Sequence, residues 1–455
     1  MKATLIAILG LVGANASAAT YYVATYGSNA SGDGSISRPW ATPEFGASRL
    51  TSDGDVLYIR EGAYNIVTPT GNRSTAIYPR ADNCMIAAYP GETVVLRGRS
   101  GSFPTGGVIG AVGGRGGLVI DRLVIEGMVM FDGNARGSRP SVLQNSDVSV
   151  GGDGWSGTNQ GAVVWMDDAV NVQISNNRIH DNGQGSEAGT PANNGLFMIY
   201  ECTDCVIERN TIYGSSGTGI TMKDDVQNVD IRYNWIRDNS ASGVWTGNNT
   251  AVDVARSASI YQNIFTGNNT SNNPEHGGIA LVVQTSLVNI FNNVFHRNYG
   301  SDVVQWPSAS AADAVAFTYF NNISYYARGY SLSWPYSGST FAAQYINFND
   351  YFGGAQGWRY RSTTWVPTSI ANWRTGISPV LTNTDASSVS TDPGFLNESG
   401  TWSTPSDYKR ASYLANGRGG AYASVMGAYV TGLEQIGFSG DFQAAPASPS
   451  GVTVE

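Results

Sequence analysis

Between residues 174 and 295 one phrase recurs five times: an aliphatic residue, two variable positions, an asparagine, a further variable position and an apolar residue. The copies run Ile174 to Ile179 around Asn177, Ile207 to Ile212 around Asn210, Ile231 to Ile236 around Asn234, Ile260 to Phe265 around Asn263, and Ile290 to Phe295 around Asn293. Weaker copies centre on Asp121, Asn145, Asn321 and Asn349. Successive asparagines from Asn177 to Asn321 stand 33, 24, 29, 30 and 28 residues apart. That spacing is too irregular for leucine-rich or ankyrin repeats, whose periods are nearly fixed. It suits a coil of three short strands joined by loops of varying length. A second phrase precedes each asparagine, a glycine followed by alternating apolar residues, starting at Gly161, Gly195, Gly219, Gly243 and Gly278. Alternation marks a strand with one face inward. The asparagines are expected to stack at a turn, with amides bonded from coil to coil. The pattern therefore predicts an all-β parallel solenoid of about ten coils, each bonded only to its neighbours, with open ends that need capping.

The two ends of the pattern carry a resemblance. The opening Tyr21-Tyr22-Val23-Ala24, Gly27-Ser28, Gly32-Asp33-Gly34, Arg38-Pro39-Trp40-Ala41-Thr42 and the run from Gly54 to Tyr64 resemble the first segment of bacterial right-handed β-helix proteins of the pectate-lyase-like superfamily. Asp392-Pro393-Gly394-Phe395 and Gly427-Ala428-Tyr429 are similar to that group's C-terminal edge. The resemblance implies a right-handed parallel β-helix with an N-terminal cap. The group includes polysaccharide lyases, glycoside hydrolases, epimerases and non-catalytic adhesins, so it implies a fold more sharply than an activity. The chain lacks the Asp-Pro-His motif of alginate epimerases and the Asn-Thr-Asp and Asp-Asp pattern of polygalacturonases.

Composition changes the picture in three places. A chain of 455 residues would ordinarily split into domains, but glycine (56 residues) runs high throughout, only 13% of residues are charged, and no internal linker divides it. A solenoid core grows along one axis and escapes that size limit. The net charge of -9 argues against nucleic acid, which requires a basic surface. The start, Met1-Lys2 followed by an apolar run from Ala3 to Val12 and Ala16-Ser17-Ala18-Ala19, has the form of a secretory signal peptide cleaved near Ala19. No segment is long enough to span a bilayer. The expected organisation is a signal peptide over 1–19, a β-helix domain over 20–437 and a linker-like tail over 438–455, in a secreted monomer. Cys202 and Cys205 align with Ala169, Val226, Val172 and Val229 of neighbouring repeats, which favours packed interior cysteines over a redox or metal pair.

Counting from each repeat glycine assigns candidate chemistry. Ala162, Val164, Leu196, Met198, Ile220, Met222, Ile279 and Leu281 are expected inward; Val163, Trp165, Phe197, Ile199, Thr221, Lys223, Trp245 and Gly247 are expected outward. An outward row of Trp165, Phe197 and Trp245 around Lys223 reads as a platform for sugar rings, or as a surface covered by the loops at 184–194 and 266–277. The sixth position after glycine reads Asp167, Glu201, Asp225, Asn249 and Gln284. Carboxylates on adjacent coils about 4.8 Å apart would repel by roughly 3 to 4 kcal/mol at an effective dielectric near 20. Such a file implies a bound cation or a retained proton, and Ca²⁺ is the cation that oxygen donors of this kind hold, with Asp168 and Asp224 as additional ligands. Lys223 near such a site has its pKa lowered and can act as a general base. The rival reading pairs Lys223 with Asp224 in a solvated turn. Asn249 and His276 are further substrate contacts, His276 reaching from its loop or lying on the surface. Arg237 shares its position with His180, Tyr213, Thr266 and His296 and is placed on another face. Trp306 and Trp334, each followed by proline, are assigned equivalent positions.

The expected function is a calcium-dependent polysaccharide lyase acting on an acidic polysaccharide, with Asp167, Glu201 and Asp225 around the metal and Lys223 as base. A glycoside hydrolase using two of the same carboxylates and a non-catalytic carbohydrate-binding β-helix are the alternatives.

Overall fold

The computed structural model describes residues 18–69, 74–99, 106–133, 139–149, 162–182, 195–247, 256–282, 286–306, 316–334, 343–354, 357–360, 369–377, 385–410, 417 and 425–440. Among the described residues, nearly all regular structure is short parallel strand, in three sheets. Sheet 1 has twelve strands, from Thr20–Val23 to Ala343–Asn347. Sheet 2 has eleven, from Gly62–Val67 to Asp350–Phe352, and sheet 3 eleven, from Ser74–Ile77 to Trp358–Tyr360. The chain visits sheets 1, 2 and 3 in turn and then rejoins sheet 1 one coil further on, so strands pair in parallel with those of neighbouring coils. This is the parallel β-helix that the repeats predict.

The inward columns fill the tube. Ile174, Ile207, Ile231, Ile260 and Ile290 stack in register from sheet 1, and Ile179, Ile212, Ile236, Phe265 and Phe295 from sheet 2, all fully buried. Phe265 and Phe295 stack at 4.9 Å. Each such side chain stabilises the fold by roughly 1.5–3 kcal/mol through apolar burial. Cys202 and Cys205 are buried thiols, Cys205 is in register with Val229, and the packed-interior reading holds.

Between sheets 1 and 2 each coil turns through one residue of positive φ followed by the ladder residue. Arg209 (φ 56) precedes Asn210, Tyr233 (φ 57) precedes Asn234, and Gln262 (φ 53) precedes Asn263. The Asn234 Oδ1 accepts from the Asn210 backbone N–H (2.9 Å) and from its Nδ2 (3.1 Å), while Asn234 Nδ2 donates to the Ile207 carbonyl (2.8 Å). The same rung repeats through Asn177, Asn263, Asn293, Asn322 and Asn349. The ladder residue of the later coil is Asn322; Asn321, taken as the centre from sequence, is its positive-φ neighbour (φ 58). At the weak Asn145 copy, Ser146 takes the ladder place and receives the rung to Asn177 Oδ1.

Both ends are capped. Helix α1 (Pro43–Ser48) starts on Thr42, whose side chain accepts from the Phe45 N–H, and covers the first coil. Its Gly46 lies so close to Val23 and Leu57 that a Cβ would stand 2.7 Å from the valine methyl, so the helix seats only with glycine there. At the far end, Trp373 of helix α2 (Ile370–Ile377) stacks on Trp358 of the last sheet-3 strand at 5.7 Å and 8°.

Residues 425–440 run back along the turns joining sheets 1 and 2. Gly427 N–H donates to the Asn321 carbonyl, Gly437 N–H to the Tyr233 carbonyl, and Ser439 N–H to Asn176 Oδ1. With Tyr408 they cover an apolar patch of Trp235, Ile264, Val294 and Ile323 on the outer face of sheet 2. The docked chain thus extends through Ser439, beyond the boundary at 437 expected from sequence. Residues 1–17 of the expected signal peptide and 441–455 of the expected tail lie outside the described residues.

Candidate functional site

Strand alternation fixes which side chains sheet 3 presents outward. Val164, Phe197, Ile220, Val244 and Ile279 are register partners and belong to the main core, as do Met166, Ile199, Met222 and Leu281 two residues on. The residues between them face out, in two columns. One runs Met130, Trp165, Met198, Thr221, Trp245, Ala280, Val304; the next runs Asp132, Asp167, Tyr200, Lys223, Gly247.

This register corrects the face assigned from glycine spacing. Phe197 and Ile199 point into the core and Met198 points out, because Val164 stands three residues after Gly161 but its partner Phe197 only two after Gly195. Phe197 is therefore not a sugar platform. The file Asp167, Glu201, Asp225 is not formed either, since Asp167 partners Tyr200 and Tyr200 partners Lys223. Asp168, Glu201 and Asp224 follow those three residues and occupy equivalent corner positions, with φ of 47, 47 and 58°. Asp168 and Glu201 are exposed there, and Asp225 stands one residue beyond the corner. Water screens the exposed charges of Asp168 and Glu201. No group of three histidine, cysteine, aspartate or glutamate side chains converges among the described residues in a way that can hold a metal ion. The single file of carboxylates behind the calcium expectation is not formed, and no step is assigned to a metal. Asn249 lies outside the described residues.

Lys223 is where the outward columns hold their chemistry. It is fully buried, with Nζ 5.6 Å from the Tyr200 ring centroid and 5.9 Å from that of Trp245. Trp165 lies against the other side of Tyr200, ring centroids 5.1 Å apart. Burial disfavours the ammonium and pulls the Lys223 pKa down to about 8, with Asp224 pulling the other way. Burial, with Asp224 and Asp167 adding to it, pushes the Tyr200 phenol up. Lys223 is therefore not in a solvated turn, and Asp224 lies near enough to act on its charge.

Further along the axis, Trp245, Ala280, Val282 and Val304 form an apolar patch against which Trp306 packs. His276 is buried, not a surface residue: its ring lies 5.6 Å from Trp306, and its Nδ1 is 3.0 Å from Ser242 Oγ. Burial lowers its pKa to about 4, so it is neutral at ordinary pH. The His276 Nε2 and Trp245 Nε1 are buried without hydrogen-bond partners among the described residues. Trp306 faces out, whereas Trp334 is in the core; they are not equivalent, because Ser333 rather than Trp334 partners Val304. Arg237 does lie on sheet 2, in register with Tyr213 and Thr266 as expected.

Sequence reading missed Asp132, register partner of Asp167 and buried like it. Gly127 precedes that strand, but Asp132 stands five residues after its glycine and Asp167 six after Gly161, so only the pairing brings the two together. A cavity of ≈ 470 Å³ lies elsewhere, between sheets 1 and 2 beneath Phe438, lined by Arg122, Asn145 and Asn176. It holds none of these groups.

Residues 112–295 match the family model for the right handed beta helix region. No curated protein matches the chain. Among solved structures it is similar to pectate lyase Pel9A (14% identity, TM-score 0.47, covering 91% of this chain and 96% of that one). It is also similar to XylC in complex with xylose (11%, 0.45, 77% and 87%). A third is the A-module of Azotobacter vinelandii mannuronan C-5 epimerase AlgE4 (14%, 0.39, 68% and 87%). Three parallel sheets visited in turn, together with the matched family model, make this fold a right-handed parallel β-helix.

Proposed function

We propose that the chain is a polysaccharide lyase that cleaves a uronic-acid-containing polysaccharide by β-elimination, with Lys223 as the base. The observation that carries this reading is Lys223 itself: a lysine buried between Tyr200 and Trp245 on the outer face of sheet 3, with a pKa near 8. A base is most effective when its pKa lies near the working pH. Proton removal from C5 of a uronate requires such a group, and the aromatic rings of Trp165, Tyr200 and Trp245 offer surfaces on which sugar rings stack. The apolar patch with Trp306 and His276 extends the same face, and the buried Nε2 of His276 and Nε1 of Trp245 suit sugar oxygens.

One observation favours a second reading. Asp132 and Asp167 are neighbours on the same face, one coil apart, and a coil spacing of about 4.8 Å approaches the 5–5.5 Å of a retaining glycosidase pair. The test is to incubate the protein with pectate, alginate, glycosaminoglycans and ulvan. A lyase raises near-ultraviolet absorbance as unsaturated ends form. Reducing ends without that absorbance would instead support the hydrolase, and neither signal, with binding retained, a carbohydrate-binding role.

A further inference from the structure

Tyr200 and Lys223 are Cα register partners on adjacent coils, about 4.8 Å apart along the axis. Both point out of sheet 3, because Ile199 and Met222, the residues just before them, point into the core. Trp165 packs on the Tyr200 ring, and Lys223 Nζ lies over that ring 5.6 Å from its centroid, so the two residues share one outward face on adjacent coils. Burial acts on them in opposite senses, easing the proton off Lys223 and holding it on Tyr200. Environments that push two titratable groups apart in this way set up a base and an acid.

Resting on the lyase reading above, we infer that Tyr200 is the second catalytic residue, donating its phenolic proton to the leaving oxygen while Lys223 takes the C5 proton from the same side of the sugar. The lysine nitrogen bonds the C5 proton, the C–H electron pair becomes the C4–C5 double bond, and the C4–O bond breaks. The departing oxygen takes the Tyr200 proton and leaves as a reducing end. The ammonium then returns its proton to the neighbouring phenolate, directly or through solvent, and no co-reactant is consumed. Two groups acting from one face perform a syn elimination. That stereochemistry selects the substrate class: 4-linked glucuronate and mannuronate carry the C5 proton and C4 oxygen on the same ring face, whereas galacturonate and guluronate carry them on opposite faces.

The test measures near-ultraviolet absorbance for the wild-type protein on polymannuronate, polyglucuronate, polyguluronate and polygalacturonate, with Tyr200→Phe run alongside. The expected result is turnover of one or both of the first two and none of the others. Tyr200→Phe should lower kcat on that substrate by about 100-fold or more with KM unchanged. Turnover of polyguluronate or polygalacturonate alone would overturn the same-face arrangement while leaving the lyase reading standing. Wild-type kcat in Tyr200→Phe would remove Tyr200 from the chemistry. No absorbance on any of the four would overturn the lyase reading and this inference with it. The wild-type panel needs no variant, so a poorly folded Tyr200→Phe does not shield the inference.

Discussion

The Lys223 ammonium loses its water shell against Tyr200 and Trp245, and Asp224 restores only part of what burial removes. As a base the side chain must be neutral, which holds above its pKa. The rate of β-elimination is therefore expected to rise with pH through an acid limb centred near 8, whereas dependence on a carboxylate base would place that limb far lower. A pH–rate profile on the substrate that responds checks this. Lys223 and its aromatic neighbours Trp165 and Trp245 were legible in the sequence as an unusual outward row. Tyr200 and Asp132 were not, because which residue of a coil stands beside Lys223 depends on register. Glycine-to-strand distances differ between coils by one or two residues, and a slip of one residue sends a side chain to the other face. An error of one residue put Phe197 outside, and errors of one and two residues gathered Glu201 and Asp225 into one file with Asp167.

At the level of the turn, the asparagine ladder explains why the repeat phrase is so constant while the loops are not. Each rung satisfies buried donors of the coil before it and a carbonyl of that same coil; for Asn234 this is Ile207, 27 residues back in sequence but adjacent in space. Replacing Asn234 by alanine would leave the Asn210 backbone N–H, its Nδ2 and the Ile207 carbonyl with lost bonds. An unmet buried polar group costs about 1–3 kcal/mol, so Asn234→Ala is expected to lose about 3 kcal/mol or more in urea unfolding. Replacement of the solvent-exposed Glu61 by glutamine should change stability by less than about 0.5 kcal/mol. The ladder was legible because a stacked asparagine must recur. A second ladder, Asn239 to Asn268 to Asn298 (2.9 and 3.0 Å), escaped notice because its residues sit in loops whose lengths vary.

Across the whole molecule, buried titratable groups oppose one another. The Asp302 and Asp350 carboxyls are raised to about 7, mainly by burial, so they favour the folded state less as pH climbs from about 4 to 7. His276 and His296 are lowered to about 4 and about 3, again by burial. They bind protons less readily folded than unfolded, so stability from them rises between about pH 4 and 6.5. The two slopes offset, and stability is expected to vary little over that window. Asp302→Asn removes one falling contribution, and unfolding free energy should then rise with pH by up to about 1.4 kcal/mol per unit relative to wild type; urea titrations from pH 4 to pH 7 read this out. The overall architecture followed from the sequence because repetition forces each coil to bury the same columns, whereas the outer face of sheet 3 depends on a register that the variable spacing after each glycine hides. The most direct test of the account is a matched comparison of wild type and Lys223→Ala on a uronate polymer, following near-ultraviolet absorbance and polymer binding together. The account predicts that the variant binds as the wild type does and produces no unsaturated ends; elimination at an undiminished rate without Lys223 would contradict it.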